Sequence, residues 1–297
     1  MGSSELADRA ERTFRKALFR VSPLWLVQYR HIKETGKWWP SRNPRTLDDK
    51  LLWLLLNWQH PLKSQCADKY SVRSYVQENG LGHLLADLLG VYPESRDIDF
   101  GDLPDRFVLK CTHGCGFNII CRDKSTLDIE AARRKLDTWM RLDVASLYGE
   151  VHYASIRPKI IGEAFLEDQP GKPLNDYKVY CFHGRAHCIM ACTDRTERGA
   201  NYDFYDRDWK NKLAYSKTSL KADRNIPKPP AHDEIIAAAE KLSRPFPFVR
   251  ADFYSVKGRA VFGEMTFTPH ACIDTNMTDL AQNTMGDLLK LPEKLLP

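Results

Sequence analysis

The chain of 297 residues has no long apolar run. Its longest, residues 51–56, is far short of the roughly 20 residues of a membrane-spanning helix, so a helical membrane protein is not expected. Internal repeats and low-complexity segments are missing, which excludes repeat arrays and a mainly disordered chain. None of the 8 cysteines forms a CxxC pair, so paired-cysteine zinc modules are not indicated. There is no nucleophile elbow for a Ser-His-Asp or Cys-His hydrolase, and no basic–aromatic RNA-binding signature, so nucleic acid is not an expected partner. No secretory signal is visible where Met1-Gly2-Ser3-Ser4 runs into a charged segment. The expectation is a cytoplasmic protein with reduced thiols. The same start departs from a myristoylation site at Leu6, where Ser or Thr is required, and reads as a trimmed or tagged terminus.

What is present fits a globular protein. At 43% hydrophobic and 28% charged residues, the chain can bury a core, and its length suits about two domains. The net charge of +5 lies wholly in residues 1–50, with 11 Lys or Arg against 6 Asp or Glu; the remainder carries 33 of each. Such a segment reads first as a solvated helix face, with an acidic substrate or the inner membrane surface as the functional alternatives. Cys111, His113, Cys115 and Cys121 raise zinc as a minor option. Strand alternation instead explains Cys111 and Cys121 as buried apolar groups.

Apolar spacing makes the first 65 residues mostly helical, with a helix beginning near Leu47 and using Leu51, Leu52, Leu55 and Leu56. Trp25, Trp38 and Trp39 read as core aromatics, with sugar stacking as the alternative. A short helix opens at Asp68-Lys69 and ends at Asn79-Gly80. Strands follow over 107–110 and 118–121 around a glycine turn, then one helix over 128–149. Residues 159–166 read as a strand, 177–182 and 186–192 as a hairpin, 195–230 as a long irregular stretch, 232–242 as a helix, and 248–255 with 259–267 as a final hairpin. The class is α/β (α+β) with antiparallel sheets. The domains are 1–66 (helical and basic), 67–158 (a lid) and 159–297 (a C-terminal subdomain with a metal site).

The final hairpin carries charges inside apolar strands: Arg250 and Asp252, then Glu264. Strand alternation puts Arg250 and Asp252 on one face. A two-residue turn at Lys257-Gly258 would send Glu264 to the other face. A three-residue loop at 256–258, with Gly258 left-handed, pairs 255 with 259, sets 250 opposite 264 and 252 opposite 262, and makes Glu264 diagonal to Asp252. The second register is predicted. Two close carboxylates repel and resist burial unless a cation joins them. Their oxygens suit Mg²⁺, which binds phosphate through the rest of its shell; a salt bridge on a half-exposed sheet is the bland alternative. Lys69, Lys110 and Lys178 suit polyphosphate or, taken singly, snorkelling edge lysines. Gly114, Cys115 and Gly116 form a turn whose backbone N–H groups can approach phosphate. His113, His183 and His187 read as structural or solvent-facing.

In this order, Asp68-Lys69, Phe107-Val108-Leu109-Lys110 with its glycine loop, Ile160-Ile161-Gly162-Glu163-Ala164-Phe165-Leu166, and Arg250-Ala251-Asp252 … Glu264-Met265-Thr266-Phe267-Thr268-Pro269, the chain resembles ATP-grasp enzymes. It is most similar to the TupA-like group, named for teichuronopeptide biosynthesis, over roughly residues 45–275. The resemblance implies an ATP-grasp fold with nucleotide between two α+β subdomains, and ATP and Mg²⁺ as cofactors. It implies that Lys69 and Lys110 hold phosphates, that Gly114, Cys115 and Gly116 form the closing loop, and that Glu163, Ala164, Phe165 and Leu166 form the hinge strand reading adenine. Asp176 would bind ribose, with Lys178 on the same face reaching phosphate. Asp252, Glu264 and Thr266 would be the metal ligands and Arg250 the catalytic arginine. Thr266 stands where the family usually has Asn, His270 where many members have Gly, and the helical N-terminal segment replaces the usual α/β substrate domain. The implied reaction is ADP-forming carboxylate–amine ligation through an acyl phosphate, joining an amino acid to a uronic-acid carboxyl of a cell-surface polysaccharide or its precursor. A kinase of a glycan or small-molecule hydroxyl, or a non-catalytic nucleotide-binding scaffold, are the alternatives.

Overall fold

A computed structural model describes residues 3–40, 42–196, 199–221 and 224–296. Met1 and Gly2, where the lipidation reading falls, lie outside the described residues, as do residues 197, 198, 222 and 223 of the polar stretch. The helices are α1 (Ser3–Val21), α2 (Pro23–Thr35), α3 (Leu47–Asn57), α4 (Pro61–Ala67), α5 (Val72–Glu78), α6 (Ile129–Met140), α7 (Val144–Tyr148), α8 (His232–Ser243) and α9 (Asp279–Leu288). The strands are β1 (Leu88–Tyr92), β2 (Phe107–Cys111), β3 (Asn118–Cys121), β4 (Ile160–Ala164), β5 (Asp176–Phe182), β6 (Arg185–Thr196), β7 (Gly199–Asp206), β8 (Lys212–Leu213), β9 (Phe248–Val256) and β10 (Arg259–Thr266). No described helix is long and apolar enough to cross a membrane.

Local chemistry sets the boundaries. Thr46 and Asp49 close a reciprocal capping box at the start of α3, satisfying backbone donors that the helix cannot use. One helix was expected over 128–149, but two form. Asp143 accepts from the backbone N–H of Ser146 and starts α7 anew, because an Asp at that position favours the cap over a helix interior. In β2 the alternation is clean: Phe107, Leu109 and Cys111 are fully buried while Val108 and Lys110 take the other face.

Two antiparallel sheets result. The first has the order β1-β4-β2-β3 and the second β10-β9-β5-β6-β7-β8. The first covers a small core of Ile98, Phe100, Phe107, Leu109 and Leu136, against α6. Its strand β4 lies within residues 159–297, beyond the sequence-derived boundary, yet pairs with β1 and β2. α8 covers one face of the second sheet, where Cys181 meets Ser243. Leu47, Leu51, Leu52, Leu55 and Trp58 share the large core with that sheet, so the N-terminal helices are built into it. Among the three tryptophans only Trp39 is core; Trp25 and Trp38 are 54% and 61% exposed.

The polar stretch 195–230 is more regular than expected, because β7 pairs along β6. Its pattern is hard to read because Asp203, fully buried, interrupts the apolar alternation. β1 and α9 carried no recognised signal either.

α9 lies so close to the start of α3 that a Cβ on Gly286 would stand 2.4 Å from the Arg45 carbonyl oxygen. Gly286→Ala should therefore destabilise by about 1–3 kcal/mol, despite the roughly 1 kcal/mol that Ala gains in helix propensity. A lowered urea midpoint would show this; an unchanged or raised one would refute the close approach.

Candidate active site

The site grows from the turn of the last hairpin. Val256 pairs with Arg259, so the turn has two residues, Lys257 and Gly258, both left-handed at φ 51° and 79°. The predicted three-residue loop is thereby corrected. A regular ladder from this turn would put Glu264 on the opposite face from Asp252. Instead the register shifts between Phe262 and Glu264, so Glu264 pairs directly with Asp252 and Thr266 with Arg250. The extra residue is Gly263, where a Cβ would stand 3.0 Å from the Asp252 carbonyl oxygen. The bulge returns both carboxylates to one face.

β5 adds to that face, with Lys178 paired to Asp252 and Tyr180 to Arg250. Arg250 donates from Nε to Asp252 Oδ1 and from Nη2 to Oδ2, both at 2.8 Å, and from Nη2 to Thr266 Oγ1 at 3.2 Å. Thr266 in turn donates to Glu264 Oε1 at 3.3 Å. Lys178 Nζ also donates to Asp252 Oδ2. Arg250 and Asp252 are buried, whereas the Glu264 side chain is 29% exposed. Burial alone would raise the Glu264 carboxyl, but Lys69, Lys178 and Arg250 outweigh it and hold the group at about 2. Burial likewise pulls Lys178 down, and Asp252 more than reverses this.

Lys69 connects the acidic pair to the glycine turn. Its Nζ donates to the Gly114 carbonyl at 2.6 Å and lies 3.2 Å from Glu264 Oε2. Gly114 has no room for a side chain, since a Cβ would meet the Phe117 ring at 2.6 Å, and Gly116 is left-handed. Cys115 between them is exposed. Lys110 stands apart from this group: its Nζ donates to Glu163 Oε2 at 2.6 Å, and Arg73 donates to the other oxygen at 3.2 Å. In the expected hinge, the Ala164 N–H goes to the Asp87 carbonyl, while Phe165 and Leu166 lie beyond the end of β4. The Phe165 ring is flanked by Arg106 and Arg122, at 5.1 and 5.3 Å. Asp176 accepts from Arg195 and lies 3.5 Å from Lys178. Lys69, Lys178, Arg250, Asp252, Glu264, Thr266 and the glycine turn are thus contiguous. Lys110 with Glu163 forms a second, separate pairing.

Sequence reasoning missed the residues that hold the chain beyond β10. Glu150 is buried and accepts from Thr268; burial lifts its carboxyl to about 7 against the pull of Thr268, Arg30 and Lys63. Next come three successive left-handed residues, His270, Ala271 and Cys272, at φ 49°, 49° and 65°. Arg30 of α2 donates to the Ala271 carbonyl at 3.2 Å, and Asp48 of α3 accepts from the Asp274 N–H at 2.8 Å. Nothing in the spacing of these distant residues announces the contacts. Arg73 and Arg195 were equally silent.

The donor set fits a hard cation. Two carboxylates and a hydroxyl share one face, and oxygen ligands of this kind suit Mg²⁺ with further positions left for phosphate. The buried Tyr180 hydroxyl, on the strand position opposite Arg250, has no hydrogen-bond partner among the described residues. Cys111 and Cys121 are buried in the small core of the first sheet.

Solved structures that align with the chain are named as ligases or as a synthetase. D-alanine–D-alanine ligase from Bacillus anthracis aligns at 12% identity and a TM-score of 0.44, over 75% of this chain and 62% of its own length. D-cycloserine synthetase DcsG aligns at 16% and 0.44, over 77% and 72%. The ATP-grasp ligase PsnB with its minimal precursor aligns at 13% and 0.41, over 78% and 62%. The chain thus spans under two thirds of the first of these. No curated protein sequence matches it. The family described as TupA-like ATPgrasp matches residues 49–290, and the chain belongs to that family, with an α+β ATP-grasp fold. ATP and Mg²⁺ are the cofactors that go with that membership.

Glu264 links the site to acid stability. Its carboxyl falls from an ordinary 4.5 to about 2 on folding, so its contribution is fully present above the unfolded value and is lost as pH falls towards the folded one. Glu264→Gln should flatten the loss of urea midpoint across that window relative to wild type. Identical acid limbs would show that the three cations do not hold the carboxylate.

Proposed function

We propose that the chain is an ADP-forming ATP-grasp ligase that joins an amino acid to a carboxylate through an acyl phosphate. The observation carrying this reading is the shared face of Arg250, Asp252, Glu264 and Thr266, closed by Lys69 and Lys178. Phosphoryl transfer needs alignment and charge neutralisation more than a protein nucleophile. Arg250 is the proposed catalytic residue, positioned by its two bonds to Asp252 to stabilise charge on the transferring group. Lys69 and Lys178 exchange carboxylate partners for phosphate oxygens, while Lys110 serves nucleotide farther along the cleft. The turn of Gly114, Cys115 and Gly116 closes over the phosphates and excludes water from the acyl phosphate. Glu163, Ala164, Phe165 and Leu166 border the adenine, and Asp176 the ribose. Asp252, Glu264 and Thr266 hold Mg²⁺, which neutralises phosphate charge when bound.

In this reading residues 67–158 supply the lid and 159–297 the metal-bearing half, with β4 joining them, while residues 1–66 buttress the second sheet. The carboxylate partner is an acidic sugar, a uronic acid of a cell-surface polysaccharide or its precursor, as the family resemblance implies. Location in the cytoplasm, with peripheral contact to the inner membrane surface, belongs to the same reading. It draws on exposed Arg9, Arg12, Lys16 and Arg20 along α1, which recur at helical spacing and so share a side. Arg15 is excluded from that face because it donates to the Leu147 carbonyl.

Arg250→Ala should lower kcat by about 10²–10³, and Asp252→Asn and Glu264→Gln should abolish turnover, with folding checked by circular dichroism. ADP release should require both a carboxylate and an amine. Release with a hydroxyl acceptor alone would replace the ligase with a kinase. Biological function retained in Asp252→Asn would replace it with a scaffold.

A further inference from the structure

The face that carries Lys178 continues sideways into a cavity of about 400 Å³. Met190 of β6, which lines it, pairs with Lys178, so the cavity begins one strand beyond the cationic cluster, about 5 Å away. Tyr202 of β7 lines it farther out. Arg224 and Asp274 both line it and define its chemistry.

Arg224 donates from Nε to Asp203 Oδ2 at 3.2 Å. Asp203 is fully buried and also takes the Ser219 hydroxyl and Lys212, the latter at 2.9 Å. One carboxylate thus anchors both Arg224 and Lys212, and of these three only Arg224 lines the cavity. Because the anchor takes Nε, the guanidinium is held in a fixed orientation where it lines the cavity, the geometry that suits a bidentate carboxylate. Asp274 accepts the Asn276 N–H at 2.9 Å and lies 3.6 Å from His270 Nε2. His270 opens the left-handed segment 270–272 that follows β10, and Asp274 lies two residues beyond it, held by Asp48.

A cavity lined by both a held cation and a held anion discriminates among small ligands. A uronate or a phosphate would satisfy Arg224 and be repelled by Asp274. A simple amine would do the reverse. An α-amino acid satisfies both with its own two charges. We infer that this cavity is the amine-substrate site and takes a free α-amino acid, with its carboxylate on Arg224 and its ammonium on Asp274. This rests on the ligase reading, whose other substrate then approaches from the Arg250 side.

The test measures binding of a non-hydrolysable ATP analogue with Mg²⁺ by calorimetry on the full chain. The common L-amino acids, their α-amides and glucuronate are then titrated into that complex. At least one amino acid should bind, and its α-amide should bind about 10-fold more weakly or worse, a difference of about 1.4 kcal/mol. Arg224→Gln should weaken the acid by a similar factor, leave the amide unaffected, and keep nucleotide affinity at the wild-type value. The acid–amide comparison on wild type stands even if the variant does not fold. Three results would overturn the inference while leaving the ligase reading intact: nucleotide binding with no amino acid bound, equal binding of acid and amide, or glucuronate as the ligand lost in Arg224→Gln. Failure of the nucleotide itself to bind would overturn the ligase reading and this inference with it.

Discussion

The arrangement depends on one electrostatic balance, that between the Asp252–Glu264 pair and the three cations around it. A buried carboxylate costs several kcal/mol unless it is paired, and two on adjacent strands cost more. Arg250 and Lys178 satisfy Asp252, and Lys69, from the segment between α4 and α5, satisfies Glu264. The last contact is the informative one, because Lys69 also grips the Gly114 carbonyl. A single ammonium therefore joins the second sheet to the loop that leaves the first. Whatever draws Lys69 towards another anion loosens that link, so charge at the site and the posture of the loop are coupled.

Legibility from sequence varied with how local the cause was. The strand 107–111 and the helix at 47–57 were readable because alternation and capping are properties of a few adjacent residues. The helix over 128–149 was read too long because the cap at Asp143 competes with an otherwise continuous apolar period. β7 was lost because a buried aspartate breaks the pattern that marks a strand, and its partners, Lys212 and Arg224, lie well downstream. Residue types at the site were recognisable by order along the chain. Their register was not, since the bulge at Gly263 depends on how two backbones meet. The hinge shows the same limit: Glu163 was placed by its motif, but nothing in that motif foretold that its carboxylate binds Lys110 and Arg73.

The N-terminal helices also acquire a purpose from packing. Ala and Cys in the left-handed region cost about 1–2 kcal/mol each, and the residues 270–272 persist there only because other groups fix them. Arg30 and Asp48, from two separate helices, hold the backbone on either side of Cys272, while Glu150 holds Thr268. A region that composition marks only as basic thus sets the shape of the segment that follows β10. Arg30 and Asp48 face inward to that task, while Arg9, Arg12, Lys16 and Arg20 lie exposed along α1.

The single extra residue in β10 has an evolutionary reading. Excision of one codon at Gly263 would let the hairpin zip regularly, with Glu264 still opposite Asp252 and Thr266 still opposite Arg250. Every side chain would keep its face, but the local bend and added twist that the bulge gives the strand would vanish. Loss of that residue would therefore spoil the aim of the carboxylates before it harmed the core.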